Sequence, residues 1–184
     1  MNRLNVILLA AFCTLAFTAT AQDTNALKTT IGVFEEQTGT VIIKGFGQIG
    51  SMTVGTDVIS IRAKESQDVS TGKKVYGLAV DIAGNGLPRE RIFVDYDELE
   101  PLLNGINYLS KITYDVTPLP GYEASFTTKA GLSVIAHSIR REGTVQAYLQ
   151  YEEHPRILLN STQMTQFRDL IQQARDNLDS IRSK

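Results

Sequence analysis

The chain has one cysteine and two histidines, and these two scarcities exclude several kinds of site. Cys13 lies inside an apolar N-terminal segment, so the remainder of the sequence has no disulfide and its stability must come from packing. His137 and His154 have no partner at the spacing of a metal ligand, which gives no basis for a zinc site. No G-x-S-x-G motif exposes a nucleophilic serine, so serine hydrolysis has no support.

A surplus of basic residues and long apolar runs are also missing. The chain has 18 Lys and Arg against 20 Asp and Glu, a net charge of −2. Without a positive surplus there is no counterion-release argument for nucleic-acid binding, and we expect no nucleic-acid partner. No apolar run reaches the roughly 20 residues of a membrane-spanning helix, so we expect no membrane span.

The N-terminus has the three parts of a secretory signal peptide. Asn2 and Arg3 precede the apolar run from Leu4 to Phe17, and Ala19-Thr20-Ala21 forms an A-x-A cleavage site. The pattern predicts cleavage after Ala21 and export to the periplasm or the outside of the cell. Because the segment 1–21 carries only one charge, Arg3, its removal leaves 17 basic against 20 acidic side chains, a net charge of −3.

After a polar lead-in over 22–40, the region 41–116 predicts four strands and a helix. The strands are marked by β-branched residues and alternation, and they cover 41–46, 58–64, 75–82 and 91–94. Apolar residues then recur at helical spacing from Leu99 to Leu109, and Pro101 places the first helical turn between Asp97 and Pro101.

The region 117–184 repeats this order after the break Thr117-Pro118-Leu119-Pro120-Gly121. Strands are predicted over 122–128, 132–139, 145–151 and 156–159. Asn160 or Ser161 caps a last helix with an apolar stripe of Met164, Phe167, Leu170, Ile171, Ala174, Leu178 and Ile181. The fold class is therefore α+β, with two β4α units related by a pseudo-twofold axis and packed as one globular domain. We expect each helix to cover the sheet that precedes it.

Three segments resemble those of a group of small, exported, uncharacterised bacterial proteins: Thr38–Gly45, Val94–Leu99 and Tyr108–Ile112. The resemblance covers most of the mature chain and implies an intact domain. No activity is known for the group, so the resemblance implies no mechanism. The order of elements also resembles the tandem strand-rich modules of whirly-type single-strand binders, which is an analogy of fold only.

Gly45-Phe46-Gly47-Gln48-Ile49-Gly50 matches the dinucleotide-binding motif G-x-G-x-x-G and follows a strand. That motif must open a helix whose amides hold the pyrophosphate, whereas another strand pattern follows here. We therefore interpret the glycines as a bulge or bend in a strand.

Asp95, Asp97, Glu98 and Glu100 form the densest acidic cluster. Paired carboxylates can bind a divalent cation or share acid-base work. Carboxylates at a helix start also cap its free amides, and Asp95 with Glu98, or Asp97 with Glu100, has the spacing of a capping box. Capping is the favoured interpretation, and the sequence assigns no catalytic, cofactor-binding or metal residue.

The tyrosines could form a stacking platform, and basic pairs occur at Lys73-Lys74, Arg89 with Arg91, and Arg140-Arg141. Tyrosine is also an ordinary strand residue, and charges at strand ends are most often solvated. The sequence thus predicts an exported domain, not an enzyme, that binds a protein or small-molecule ligand without a cofactor. The alternatives are a metal-assisted hydrolase built on Asp95–Glu100 and a single-stranded nucleic-acid binder.

Overall fold

The computed structural model describes residues 29–84, 87–152 and 154–183. The predicted signal peptide and the first part of the lead-in lie outside the described residues.

Two antiparallel four-stranded sheets form the scaffold, and each is followed by a helix, which confirms the predicted α+β fold class. Sheet A has the order β1-β2-β3-β4 and sheet B the order β5-β6-β7-β8. The strands of sheet A are β1 (Ile42–Val54), β2 (Asp57–Asp68), β3 (Lys74–Gly84) and β4 (Leu87–Asp95). Those of sheet B are β5 (Glu123–Thr127), β6 (Leu132–Ile139), β7 (Thr144–Tyr151) and β8 (Ile157–Leu159).

Among the described residues, three helices accompany the sheets. α2 (Leu99–Leu109) follows sheet A through a 3₁₀ turn at Tyr96–Glu98, and α3 (Ser161–Arg182) follows sheet B. Asn160 caps α3, as predicted, by accepting a hydrogen bond from the backbone amide of Gln163. The lead-in, to which the sequence assigned no structure, contains a further short helix, α1 (Thr30–Glu35).

The strands of sheet A extend beyond their predicted ends. β1 continues through the glycine-rich segment, with a register shift between Gln48 and Gly50 that confirms the interpretation as a bulge. The loop predicted over Ala83–Pro88 is shorter than expected, because β3 reaches Gly84 and β4 begins at Leu87. Pro88 is accommodated because β4 is an edge strand, where a missing amide donor costs little.

The helices exchange sheets, which corrects the expectation that each covers its own. α3 packs against β1, β2 and β3, whereas α2 packs against β5 and β6 and against α3. The buried residues of both helices, including Leu99, Leu103, Phe167 and Ile171, belong to one hydrophobic cluster with both sheets. Periodicity shows that a helix has an apolar face but not which sheet it will meet.

Glycines allow both helices to approach closely. A Cβ atom on Gly50 would lie 2.6 Å from Cδ2 of Leu170 in α3, and one on Gly105 of α2 would lie 2.8 Å from the ring of Phe126 in β5. Both distances are shorter than real contacts allow. The small residues therefore set how near each helix lies to the sheet of the other unit.

Across the described part of the chain, no helix is both long and apolar enough to cross a membrane.

The exchange predicts that Gly105→Ala destabilises the protein. In an exposed helix this change stabilises by about 1 kcal/mol, but here the added methyl meets the base of the Phe126 side chain, and overpacking of this kind costs about 1–3 kcal/mol. Urea unfolding measures the difference. Asn104→Ala, on the exposed side of α2, is the control and should change the free energy of unfolding by less than about 0.5 kcal/mol. A stabilised Gly105→Ala protein would show that α2 does not lie against β5.

Candidate functional site

An open groove of about 620 Å³ lies at the end of α2. Its walls come from the residues after α2, from β7 and β8, and from the first turn of α3. The apolar lining consists of Leu109, Ile112, Val145, Ala147, Leu158, Leu159 and Met164. The polar lining consists of Ser110, Gln146, Asn160, Ser161, Gln163 and Thr165.

The groove exists because the two exchanged helices differ in length. α3 has 22 residues and α2 has 11, which correspond to about 33 Å and about 16 Å of helix. α3 spans three strands of sheet A, but α2 ends after crossing β5 and β6. As a result, Ile112, Val145 and Ala147 are only half-buried at the margin of the core.

The lining of the groove is uncharged. None of its lining residues carries a charge, and none is histidine. Several polar groups at its rim are already bonded locally: Ser110 Oγ donates to the carbonyl of Asn107, and Thr165 Oγ1 donates to the carbonyl of Ser161. Asn160 and Gln163 form a reciprocal capping box. The hydroxyl oxygens can still accept a hydrogen bond, but no acid or base is in place for proton transfer.

A second polar arrangement lies on the face of sheet A that α3 leaves uncovered. Phe46, Lys64 and Gly77 are opposite one another on β1, β2 and β3, and Ile31 of α1 occupies the space above Gly77. α1 thereby buries Lys64, whose side chain is 1% exposed.

The Lys64 ammonium is enclosed by a carboxylate and two aromatic rings. Nζ lies 2.6 Å from Oε1 of Glu35, 4.1 Å from the centre of the Phe46 ring and 4.8 Å from that of Phe93. Burial lowers the pKa of Lys64, and the ion pair with Glu35 opposes this effect. Burial alone would raise the pKa of Glu35, but interactions with Lys44, Lys64 and Ser66 hold it below the usual range. The arrangement ties α1 to the sheet.

Two arginines on the same face share one carboxylate. Asp81 accepts from Arg62 at 2.5 Å and from Arg91 at 2.8 Å, and both guanidinium groups lie near the Phe46 ring. Of the predicted basic pair Arg89 and Arg91, Arg91 is therefore engaged within the sheet, where it shares Asp81 with Arg62.

The acidic cluster has a structural role, because Asp95 connects the end of β4 to the start of α1. Asp95 and Glu98 form the predicted capping box, and the Asp95 carboxylate also accepts from the amides of Thr30 and Ile31 at the start of α1. Burial alone would raise the pKa of Asp95, but those amide bonds and Lys129 hold it below the usual range.

The other two carboxylates of the cluster are engaged in ion pairs, and Asp97 shares its partner Lys129 with Asp95. Asp97 pairs with Lys129, and Glu100 pairs with Arg175 of α3. Across the described residues, no group of three or more His, Cys, Asp or Glu side chains could hold a metal ion.

The histidines and tyrosines are dispersed. His137 lies 3.9 Å from Glu123 on the outer face of sheet B, and His154 lies 3.6 Å from Glu90. Tyr76 and Tyr96 flank Arg182, whereas Tyr148 lies near Arg156. Tyr151 stacks with His154, with 6.0 Å between the ring centres. The tyrosines are therefore divided among separate contacts, which differ from the stacking platform that the sequence left open.

Sequence reasoning did not find the groove or the buried lysine. Lys64 falls on the polar side of an alternating strand, which is normally the solvent side. The one available signal was the lead-in, where apolar Ile31 and Phe34 precede Glu35 and are suited to cover a sheet. The groove had no local signal, because it results from the lengths and crossing of distant helices.

The buried ion pair predicts a defined pH dependence of stability. Glu35 has a lower pKa in the folded protein than its ordinary value of 4.5, so the unfolded chain takes up a proton first as the pH falls. The stabilisation is fully present above the unfolded pKa and is lost as the pH falls from about 5 through the folded pKa. Glu35→Gln should reduce this slope and cost about 3 kcal/mol at neutral pH, because Lys64 is left without its carboxylate.

Urea unfolding at several pH values, combined with Glu35→Gln, Lys64→Met and the double variant, tests this prediction. The double variant should recover part of the loss, since no buried charge remains. Glu36→Gln, at the exposed neighbouring position, is the matched control. Equal effects of the Glu35 and Glu36 changes would contradict the assignment.

Comparison with family models, with curated proteins and with solved structures finds no match to this chain, so the site is interpreted from its own geometry.

Proposed function

We propose that this protein is an exported, non-enzymatic domain that binds a small, uncharged, largely apolar molecule in the groove between α2, sheet B and α3. The groove itself carries the proposal. Its volume of about 620 Å³ is within the roughly 300–1,000 Å³ that is usual for small-molecule sites.

The lining determines the class of ligand. Half-buried Ile112, Val145 and Ala147 present apolar surface that a ligand would remove from water, at about 25 cal/mol per Å². A charged ligand would find no opposite charge among the lining residues and would lose its hydration without compensation. Rim hydroxyls and amides supply acceptors and donors that orient a hydroxyl or carbonyl group.

The same lining favours binding over catalysis. Turnover requires a nucleophile, an acid or a base within hydrogen-bond reach of the reacting group. The groove has serine and threonine hydroxyls but no side chain that could accept their protons. The carboxylates of the Asp95–Glu100 cluster are engaged in caps and ion pairs on other parts of the surface.

Filling the groove should abolish binding. N-phenyl-1-naphthylamine is a neutral probe that fluoresces in apolar surroundings. We expect it to bind at one site per chain. Long-chain alcohols should displace it more readily than the corresponding carboxylates. Ala147→Phe should weaken its binding at least tenfold, or by about 1.4 kcal/mol.

Val33→Phe adds the same ring at an exposed position on α1 and should leave probe affinity unchanged. Thermal melts of both variants establish that they fold. Probe fluorescence that does not saturate, or that Ala147→Phe leaves intact, would refute the groove as a binding site.

Export is tested separately by the N-terminus of the processed protein. When the full chain is produced in a secreting host, the predicted signal peptide should be removed, and sequencing should begin at Gln22. Changing Ala19 and Ala21 to bulky residues should retain the precursor in the cell, because the cleavage site requires small side chains. Exported protein that still begins at residue 1 would overturn the cleavage prediction.

A further inference from the structure

The free edge of β1 differs from the other sheet edges in this molecule. β1 is the outer strand of sheet A and, at 13 residues, its longest strand. α3 runs alongside it with Leu170 next to Gly50 and with Leu178 and Ile181 next to Gly45. β8, which precedes α3, also contacts β1. Along 42–48, no described element pairs with the outer edge of the strand.

Large apolar side chains are exposed along this edge. Val41, Ile43 and Phe46 are 66%, 55% and 41% exposed, and Ile181 at the end of α3 lies beside them. They occupy both faces of the strand, since Phe46 shares a face with Lys64 whereas Ile43 is on the opposite side of the pleat. A ladder of unpaired backbone groups flanked by apolar residues on both faces favours pairing with another strand.

The other three edges carry features that prevent pairing. β4 contains Pro88 and the run Arg89-Glu90-Arg91. β5 has five residues and begins with Glu123, and β8 has three residues preceded by Pro155. Proline, charge and short length are the usual protections of exposed edges. β1 has one charge, Lys44, and a bulge after Gln48.

The single charge on β1 does not oppose pairing with an identical strand. Lys44 Nζ lies 2.8 Å from Oε2 of Glu35, a carboxylate of its own chain that it shares with Lys64. In an antiparallel self-pair centred anywhere from Gly45 to Gly47, Lys44 is opposite an uncharged residue. Both partners then contribute the same apolar residues, as a twofold interface requires.

We propose that β1 pairs antiparallel with β1 of a second copy of this chain, so that two four-stranded sheets join into one eight-stranded sheet. The twofold axis passes through Gly45 or Gly47, so that one of these glycines faces its own copy. Pairing covers Ile43 and Phe46 of both copies. It also covers the exposed side of the Phe46 ring, which lies beside the Lys64 ammonium. The ligand groove, which lies at α2 and sheet B, stays open in the dimer.

Sedimentation of the processed full chain tests the association. The wild-type protein should have twice the mass of one chain and dissociate only on dilution. Ile43→Lys places a like charge on each side of the twofold axis and should give a folded monomer, with the melting curve that the wild-type protein shows below its dissociation concentration. Val116→Lys, at a position of similar exposure (51%), is the matched control and should remain a dimer.

Single cysteines report the register. A Cβ atom at Gly45 or Gly47 meets nothing nearer than 3.8 Å, so cysteine fits at both positions without disturbing the strand. In the processed chain, from which Cys13 is removed with the predicted signal peptide, Gly45→Cys or Gly47→Cys should form a disulfide between copies on mild oxidation, and Val116→Cys should not. Directly opposed residues have Cβ atoms about 4.5–5.5 Å apart, close enough for this reaction.

A wild-type chain that is monomeric at every attainable concentration would overturn the proposal. So would a dimer that Ile43→Lys does not dissociate, or a dimer in which neither glycine position cross-links. A monomer that takes up extended peptides at β1 would also overturn it, because the edge would then serve a foreign strand. The Ile43→Lys monomer should still bind N-phenyl-1-naphthylamine, because β1 does not line the groove. A failure of the dimer proposal can therefore be distinguished from a failure of the groove proposal.

Discussion

The structure depends on the exchange of helices between its two β4α units. α3 supplies the apolar cover for sheet A, and α2 supplies it for sheet B, so neither unit buries its sheet with its own residues alone. This arrangement replaces covalent ties in a chain whose only cysteine is Cys13. Because each sheet needs a helix from the other half, both units contribute to one hydrophobic cluster.

The two polar contacts that attach α1 to sheet A follow from the same arrangement. α3 occupies one face of sheet A, and the opposite face is covered in part by the short α1. A helix of six residues has little apolar area, so polar contacts also attach α1 to the sheet. The Asp95 carboxylate accepts hydrogen bonds from the first amides of α1, and Glu35 at the other end of α1 forms an ion pair with Lys64. Asp95, a member of the acidic cluster that the sequence interpreted as helix capping, is thereby also occupied in attaching α1. The groove, where sheet B lacks cover, is the place that we propose for a ligand.

Much of the fold was predictable because it is encoded locally. Alternation over β6 and β7 and helical spacing over α2 and α3 give correct elements, and Asn160 and the Asp95–Glu98 pair give correct caps. The partners of these elements were not predictable. An apolar stripe such as that of Phe167 and Ile171 fits any apolar sheet, and chain connectivity suggested the wrong one. The candidate site depends on that choice and on the difference in length between α2 and α3.

The sequence by itself determined the type and order of the strands and of α2 and α3, since periodicity and capping act over a few neighbouring residues. It also determined the absence of disulfides and of a basic surplus, because these depend on composition alone. Only the tertiary structure decided that the helices exchange sheets, that Lys64 is buried beneath α1 and that a groove opens beside Ala147. Each of these depends on surfaces brought together from distant parts of the chain, where shape and burial select the partner.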